Sequence, residues 1–516
     1  MSDEPRLRWL ALAVLCVPLL IVSLDNTVLN VVLPTLVRKL HATTSQLQWI
    51  VDSYVLVFGG LMLVAGSLAD RIGRKRTFVA GLAIFAAGST WAAFSGSVGI
   101  LIAARASMGV GAALIMPSTL AIITNMFAES GERQRALGFW SGTSGAGLAL
   151  GPIVGGLLLA HFWWGSVFLI NVPVAVLGIA CAIRLVPDSR DPAAKRPDPG
   201  GSLLSIAGLG LVLWAIIDAP VHGWSSPLVI GAGAAGLATL AAFVAWERSS
   251  PHPMLDLRYF SERRFSAAVT ANGLLMFGLM GALFVLTQYL QFQLGYTPLQ
   301  AGIRVLPAAG AIALIAPLSA TLVRRLGTKL TVAAGLLIVS CGLWQISGAT
   351  VTTTYTGVVA GMTMLGIGAG LVFPAGVGAV MGSLPRDHTG VGSGTNGSFV
   401  QIGGALGVAV IGSLLSTRYQ HRMTAALRTY HVPHAILQTI LGSLGAALGL
   451  ARALGGVLGL ALAHLARSAF ISGMGLGMTV GACVALGGAL LALLALPSRP
   501  AVPAEDAEAV DSDLHP

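Results

Sequence analysis

Residues 68–77 read LADRIGRKRT and residues 322–331 read LVRRLGTKLT, with an arginine, a glycine, a lysine and a threonine in register at an offset of 254. Working outward, GVGAALIMP at 109–117 aligns with GIGAGLVFP at 366–374 at an offset of 257, and GTSG at 142–145 aligns with GTNG at 394–397 at 252. Three matches at nearly one offset describe two homologous halves. Repeats of membrane helices around a central site are the architecture of an alternating-access carrier.

The material between the matches is apolar. Of 516 residues, 55% are hydrophobic and 10% charged, whereas a soluble domain carries about a quarter of its residues as charged, so a soluble multidomain enzyme is excluded. Apolar runs bounded by charge or by Pro and Gly place spans at 10–33, 46–68, 77–96, 99–124, 136–160, 165–186, 202–219, 227–247, 266–290, 298–323, 329–348, 354–381, 391–416 and 469–496. The expected fold is an all-α polytopic membrane protein with fourteen transmembrane helices. A cytoplasmic N-terminus (1–9) precedes a six-helix half (10–186), a linker with two extra spans (187–264), a second six-helix half (265–496) and an acidic cytoplasmic tail (497–516). Of the 30 Lys and Arg residues, 21 then fall on cytoplasmic segments, 7 on outer segments and 2 inside spans, as the positive-inside rule requires. Five of the outer seven lie in residues 417–468, read as a long outer loop whose apolar stretch 435–465 forms surface-lying helices. The net charge of +10 reads as basic loops rather than a nucleic-acid surface, because no basic run is long or interleaved with aromatics. Cys16, Cys181, Cys341 and Cys483 each sit in apolar sequence, without metal spacing.

The loop GSLADRIGRKRTF (66–78), between the second and third spans, resembles the signature loop of the major facilitator superfamily. GLALGPIVGG (147–156) in the fifth span resembles the motif that marks exporters within it, and LDNTVLNVVLP (24–34) with WIVDSY (49–54) resembles the fourteen-span drug:proton antiporters of QacA/EmrB type. Arg105, Gly109, Gly111 and Pro117 match the fourth-helix motif, although Met108 stands where glutamine is frequent, and Arg324 replaces the acid in the second copy of the loop. The resemblance implies a major facilitator fold and a conformational switch built from Gly66, Asp70, Arg71, Gly73 and Arg74 together with Gly147, Gly151, Pro152, Gly155 and Gly156. Gly73 permits a tight turn, and glycines four apart give the fifth span a flat packing face.

An ionisable side chain inside a span is costly and marks function by default. Asp25 lies eight residues before Leu33, ~12 Å below the outer helix end, and Asp52, Arg105 and Arg304 lie at ~9–11 Å. Asp25, Arg105 and Asp52 are the expected proton-coupling residues, since movement of an arginine relative to a carboxylate changes its proton affinity. The alternative is a static ion pair tying helices together. Tyr54, Phe58, Met116, Phe284, Gln288, Tyr289, Arg304, Phe373, Asn396, Phe399 and Gln401 are candidates for an adaptable, largely apolar substrate cavity.

No HExxH, P-loop or partnered GxSxG is present, so neither an enzyme nor a nucleotide-driven pump is expected. The resemblance implies a proton-coupled antiporter, driven by the proton gradient without cofactor or metal, that exports lipophilic or amphipathic small molecules such as drugs or antibiotics by alternating access. Its expected partners are those substrates, protons and membrane lipids, with no nucleic acid and a monomeric state. The expected location is the bacterial inner membrane. Export of one endogenous metabolite or lipid, and uptake by proton symport, are the other readings this fold allows.

Overall fold

The computed structural model describes residues 4–127, 129–190, 197–251, 253–384, 389–428, 430 and 432–496, so the acidic tail at 497–516 lies outside the described residues. Every regular element among them is helical. The first half comprises α1 (Glu4–Leu40), α2 (Thr44–Ile72), α3 (Arg74–Ala93), α4 (Val98–Met126), α5 (Ser130–His161), the single turn α6 (Ser166–Leu169) and α7 (Asn171–Leu185). A hairpin of α8 (Pro199–His222) and α9 (Pro227–Ser249) follows. The second half comprises α10 (Arg263–Gln288), α11 (Pro298–Ser347), α12 (Tyr355–Met381), α13 (Thr389–Leu427), the short α14 (His434–Gly442) and α15 (Leu444–Leu454), and α16 (Gly456–Ala495).

Twelve helices among the described residues are long and apolar enough to cross a membrane, against fourteen expected. The two differences have local causes. The span expected at 77–96 falls in α3, whose first turn is Arg74, Lys75 and Arg76, and it is not among the twelve. The spans expected at 298–323 and 329–348 run together as α11, 50 residues with one non-helical residue, Gly327. The two arms part at Gly327 and fold back beside each other, since Gly366 of α12 abuts Ala308 of the first arm and Gly368 abuts Gly335 and Val339 of the second. The segment 417–468 is more ordered than a loop: α13 continues through Arg418 and Arg422 to Leu427, and α16 begins at Gly456. Arginine has good helix propensity and ends no helix by itself.

The repeat read in the sequence is a repeat of backbone geometry. Gly73 has φ 121° and ψ 126°, and its counterpart Gly327 has φ 83° and ψ 163°, a region open to glycine and costly for other residues. Both α2 and α11 begin with a capping box, Thr43 with Gln46 and Thr297 with Gln300, which satisfies two orphan backbone donors at each start. A methyl group on Gly111 would meet Gly81 and Phe85, and one on Gly368 would meet Gly335 and Val339. Gly109 abuts Tyr54 and Gly366 abuts Ala308. The partners, Gly81 with Gly335, Phe85 with Val339 and Tyr54 with Ala308, are each 254 apart.

The halves meet at the end of the molecule remote from loop 66–78, and α2 also follows α13 toward that loop, with Met62 against Gly397 and Leu63 against Gly394. At the remote end the Gln291 side-chain amide donates to Val31 O (2.8 Å), and that of Gln48 to Val408 O (3.0 Å) and Ala409 O (2.8 Å). A methyl on Gly302 would collide with the Pro152 carbonyl, and one on Gly156 would stand 2.6 Å from Leu299 Cα. Over this seam lies α15, with Gly445 against Val37 of the first half and Phe292 of the second, while Thr44 donates to Gly442 O (3.2 Å). Toward the loop end α5 and α11 part: a side chain at Gly142, Gly145 or Gly310 would meet nothing within 4 Å, and Leu314 is 75% exposed. The α8–α9 hairpin lies against α2 and α13, through a cluster of Leu213, Ile217, Ala405 and Ala409 and the hydrogen bond from Ser45 to Ile217 O (3.1 Å).

Candidate functional site

The interior charges sit where α1, α2 and α4 converge. Gly109 lets α4 approach the Tyr54 backbone so closely that a methyl there would be 2.6 Å from the Tyr54 carbonyl. Arg105, one turn earlier, therefore reaches across: its Nε donates to Ile50 O (3.2 Å), its guanidinium stands 4.2 Å from the Tyr54 ring centre, and its Nη1 pairs with Asp25 Oδ2. Both partners are fully buried. Such a pair is held by mutual compensation, because removing either charge leaves the other uncompensated in a low dielectric.

Asp52 is also fully buried, yet neither of its carboxylate oxygens has a hydrogen-bond partner among the described residues. Asp25 Oδ1, Asn30 Oδ1, Ser53 Oγ and Tyr54 Oη are likewise unsatisfied. A buried charge without a partner costs several kcal/mol, so position 52 can carry a negative charge only when a cation comes to it. The equal depths expected for the four ionisable groups thus bring Asp25 and Arg105 together but leave Asp52 and Arg304 apart. Arg304 instead stacks 3.7 Å from the Tyr296 ring centre and 5.6 Å from that of Tyr355, and its Nη1 donates to Gln300 O (3.3 Å).

Of the residues considered for a substrate cavity, Tyr54, Phe58, Phe284 and Tyr289 are buried, with Tyr289 donating to Thr353 O (2.9 Å). Gln288 folds back onto Phe284 O (3.0 Å), and Asn396 accepts from Asn272 (2.7 Å). Met116 is half-buried, and Phe373 is 38% exposed on α12. Phe399 and Gln401 lie along α13 where it meets α2, with Gln401 Cβ 2.9 Å from where a Gly59 methyl would be.

The loop residues form a clamp. Asp70 Oδ1 accepts from Arg74 Nε (2.7 Å), Arg74 Nη1 donates to Ala121 O on α4 (3.3 Å), and Lys75 donates to Ile183 O on α7 (2.7 Å). Gly66 faces Pro117, and Arg71 is exposed. Sequence reasoning missed Asp188, 3.9 Å from Arg76, and Ser189, whose carbonyl accepts the Arg74 amide (2.9 Å). The glycines of 147–156 carry α1: Gly147 abuts Leu20, Gly151 abuts Leu24 and Thr27, and Gly155 abuts Val28. Gly156 and Pro152 face the other half. Also missed were Gln48 and Gln291, which the sequence does not single out, because Gln46 stands beside the first and Gln288 and Gln293 beside the second.

A family model described as Major Facilitator Superfamily matches residues 15–408. The chain belongs to the Major Facilitator Superfamily. It is 35% identical to the multidrug efflux pump LfrA of Mycolicibacterium smegmatis over 478 residues, covering 92% of this chain and 93% of that one. It is 32% identical to the tetracenomycin C resistance and export protein of Streptomyces glaucescens, over 94% of this chain and 91% of that one. With the methyl viologen resistance protein SmvA of Salmonella typhimurium the identity is 33%, over 90% and 93%. A solved structure of a bacterial homologue of the human lysosomal transporter Spinster, described as inward-facing and unoccupied, superposes with a TM-score of 0.63 at 17% identity, covering 96% of this chain and 99% of that one. This superfamily member is therefore a multi-pass cell-membrane transporter rather than an enzyme.

Proposed function

We propose that this superfamily member is a proton-coupled antiporter of the fourteen-span drug-export type. It takes lipophilic or amphipathic small molecules from the cytoplasmic side and releases them outside. The observation that carries the proposal is the buried Asp25–Arg105 pair beside the unpartnered Asp52. A proton added to Asp25 cancels its charge and frees the guanidinium, and one removed restores the pair, so protonation is tied to how α1, α2 and α4 pack. The names of the relatives support efflux of drugs or antibiotics. The fourteen-span count treats α11 as two crossings joined at Gly327 and includes α3. The basic loops favour a cytoplasmic 66–78 end and cytoplasmic termini, and in this reading the parting of α5 from α11 opens the molecule toward the cytoplasm.

The test is Asp25→Asn in proteoliposomes with an imposed pH gradient. The amide keeps an acceptor for Arg105 but leaves its charge uncompensated, so the variant is expected to melt at a lower temperature and, as folded protein, to bind substrate while proton-driven export falls to background. Wild-type export by this variant would exclude Asp25 as the proton site.

A further inference from the structure

Remote from the charged interior, a second pair of acids is buried where the inserted hairpin begins and ends. Asp198, just before α8, is 7% exposed, and Glu247, near the end of α9, is 3% exposed. Gly201, in the first turn of α8, lets them converge. A methyl group there would stand 2.5 Å from Glu247 Oε1 and 2.8 Å from Asp198 Oδ2, so the two oxygens are no farther apart than those lengths added.

The donors around the pair are divided unequally. Asp198 Oδ1 accepts from Gly201 N (2.9 Å) and Trp246 Nε1 (3.1 Å), and its Oδ2 accepts from the same indole (2.9 Å). Bonds from N–H groups favour the ionised carboxylate. Glu247 Oε2 accepts from Leu255 N (2.9 Å), while Oε1 is closed off without a partner among the described residues. No ion pair among those residues includes either acid. Of the charged side chains close by in the chain, Arg248 is exposed, Arg258 pairs with Asp256 (2.8 Å), and Asp198 is the one whose field acts on Glu247. Residues 191–196 and 252 lie outside the described residues. Two carboxylates this close and this deep do not both ionise without a cation between them. A metal ion or a ligand would need room at Oε1, and a proton does not.

We propose that Asp198 and Glu247 hold one proton between them, carried on Glu247 Oε1 and turned toward the Asp198 carboxylate. The site is separate from the Asp25–Arg105 pair and does not depend on the export reading. It joins three segments: the residue before α8, the end of α9 and, through Oε2, the stretch that leads to α10. Loss of the proton sets two like charges against each other and loosens all three, so the clasp responds to pH on the side of loop 66–78.

Infrared difference spectra of the protein in lipid, taken between about pH 6 and about pH 9, report the C=O band of a protonated carboxyl. One component of that band is expected to be absent from Glu247→Gln and to persist in both Asp25→Asn and Asp52→Asn. Asp198→Asn removes the facing charge and is expected to move the loss of that component about one pH unit lower. Thermal melting reads the clasp itself. Glu247→Gln, whose amide donates at either pH, is expected to show a fall in melting temperature across this range about 2–4 °C smaller than that of wild type. A band unchanged in Glu247→Gln overturns the proton site. A melting difference that survives Glu247→Gln but disappears in His252→Gln places the titrating group outside the pair and overturns the clasp.

Discussion

Removing the guanidinium at position 105 leaves Asp25 buried with no other cation in reach, since only three further ion pairs occur among the described residues and none involves α1. Arg105→Met is therefore expected to destabilise the protein by about 3–5 kcal/mol. The double variant Asp25→Asn with Arg105→Met removes both charges and is expected to be more stable than Arg105→Met alone, a coupling that thermal melting in detergent reads directly. Additive losses would mean that the two side chains do not compensate each other. At this scale the sequence was informative where depth alone decides contact. Asp25 and Arg105 could be matched by counting residues from helix ends. Counting could not tell that Arg304 turns to Tyr296 and Tyr355, or that Asp52 finds no donor, because depth says nothing of which way round its helix a side chain points.

Among the elements, the paired glycines Gly73 and Gly327 make a specific comparison possible. Both hold backbone angles that cost another residue about 1–3 kcal/mol, but the first lies within the clamp of Asp70, Arg74, Ala121 and Ser189, while in the second copy Arg324 only reaches Thr321 on its own helix. Gly73→Ala is expected to lower the export rate of every substrate by a similar factor, and Gly327→Ala to do so less. Selective loss of one substrate in either variant would show that the loop affects binding. The helices themselves were legible because long apolar runs have few alternatives in a bilayer. The division expected between 323 and 329 falls at Gly327, the one residue of α11 that leaves helical angles, as Gly73 does between α2 and α3. Surface-lying helices were expected over 435–465, of which 456–465 instead begins the spanning helix α16, and the seat of α14 and α15 across the two halves depended on contacts with Val37, Thr44 and Phe292, hundreds of residues away for the first two.

For the whole molecule, the contacts that decide which end is closed are few and made through the backbone: Gly302 on Pro152, Gly156 on Leu299, and the amides of Gln48 and Gln291. Gly302→Leu cannot fit against the Pro152 carbonyl, so it is expected to populate a state open at that end. The check is the distance between spin labels on Thr43 and Thr297, which should lengthen; an unchanged distance would show that the seam yields without opening. The two-half plan was visible in three short matches, but how the halves lean on each other was not, because no local pattern encodes a meeting of residues that lie far apart in the chain. The long helix α11 adds a mechanical consequence. Apart from Gly327, every residue in it is helical, so the angle between its arms has one pin joint, worked by two dihedrals. The arm from Gly327 to Gly302 is ~37 Å long, and a turn of about 5° at the pin sweeps its far end through about 3 Å. A lever of that ratio separates two close-packed backbones with very little rotation at the fulcrum.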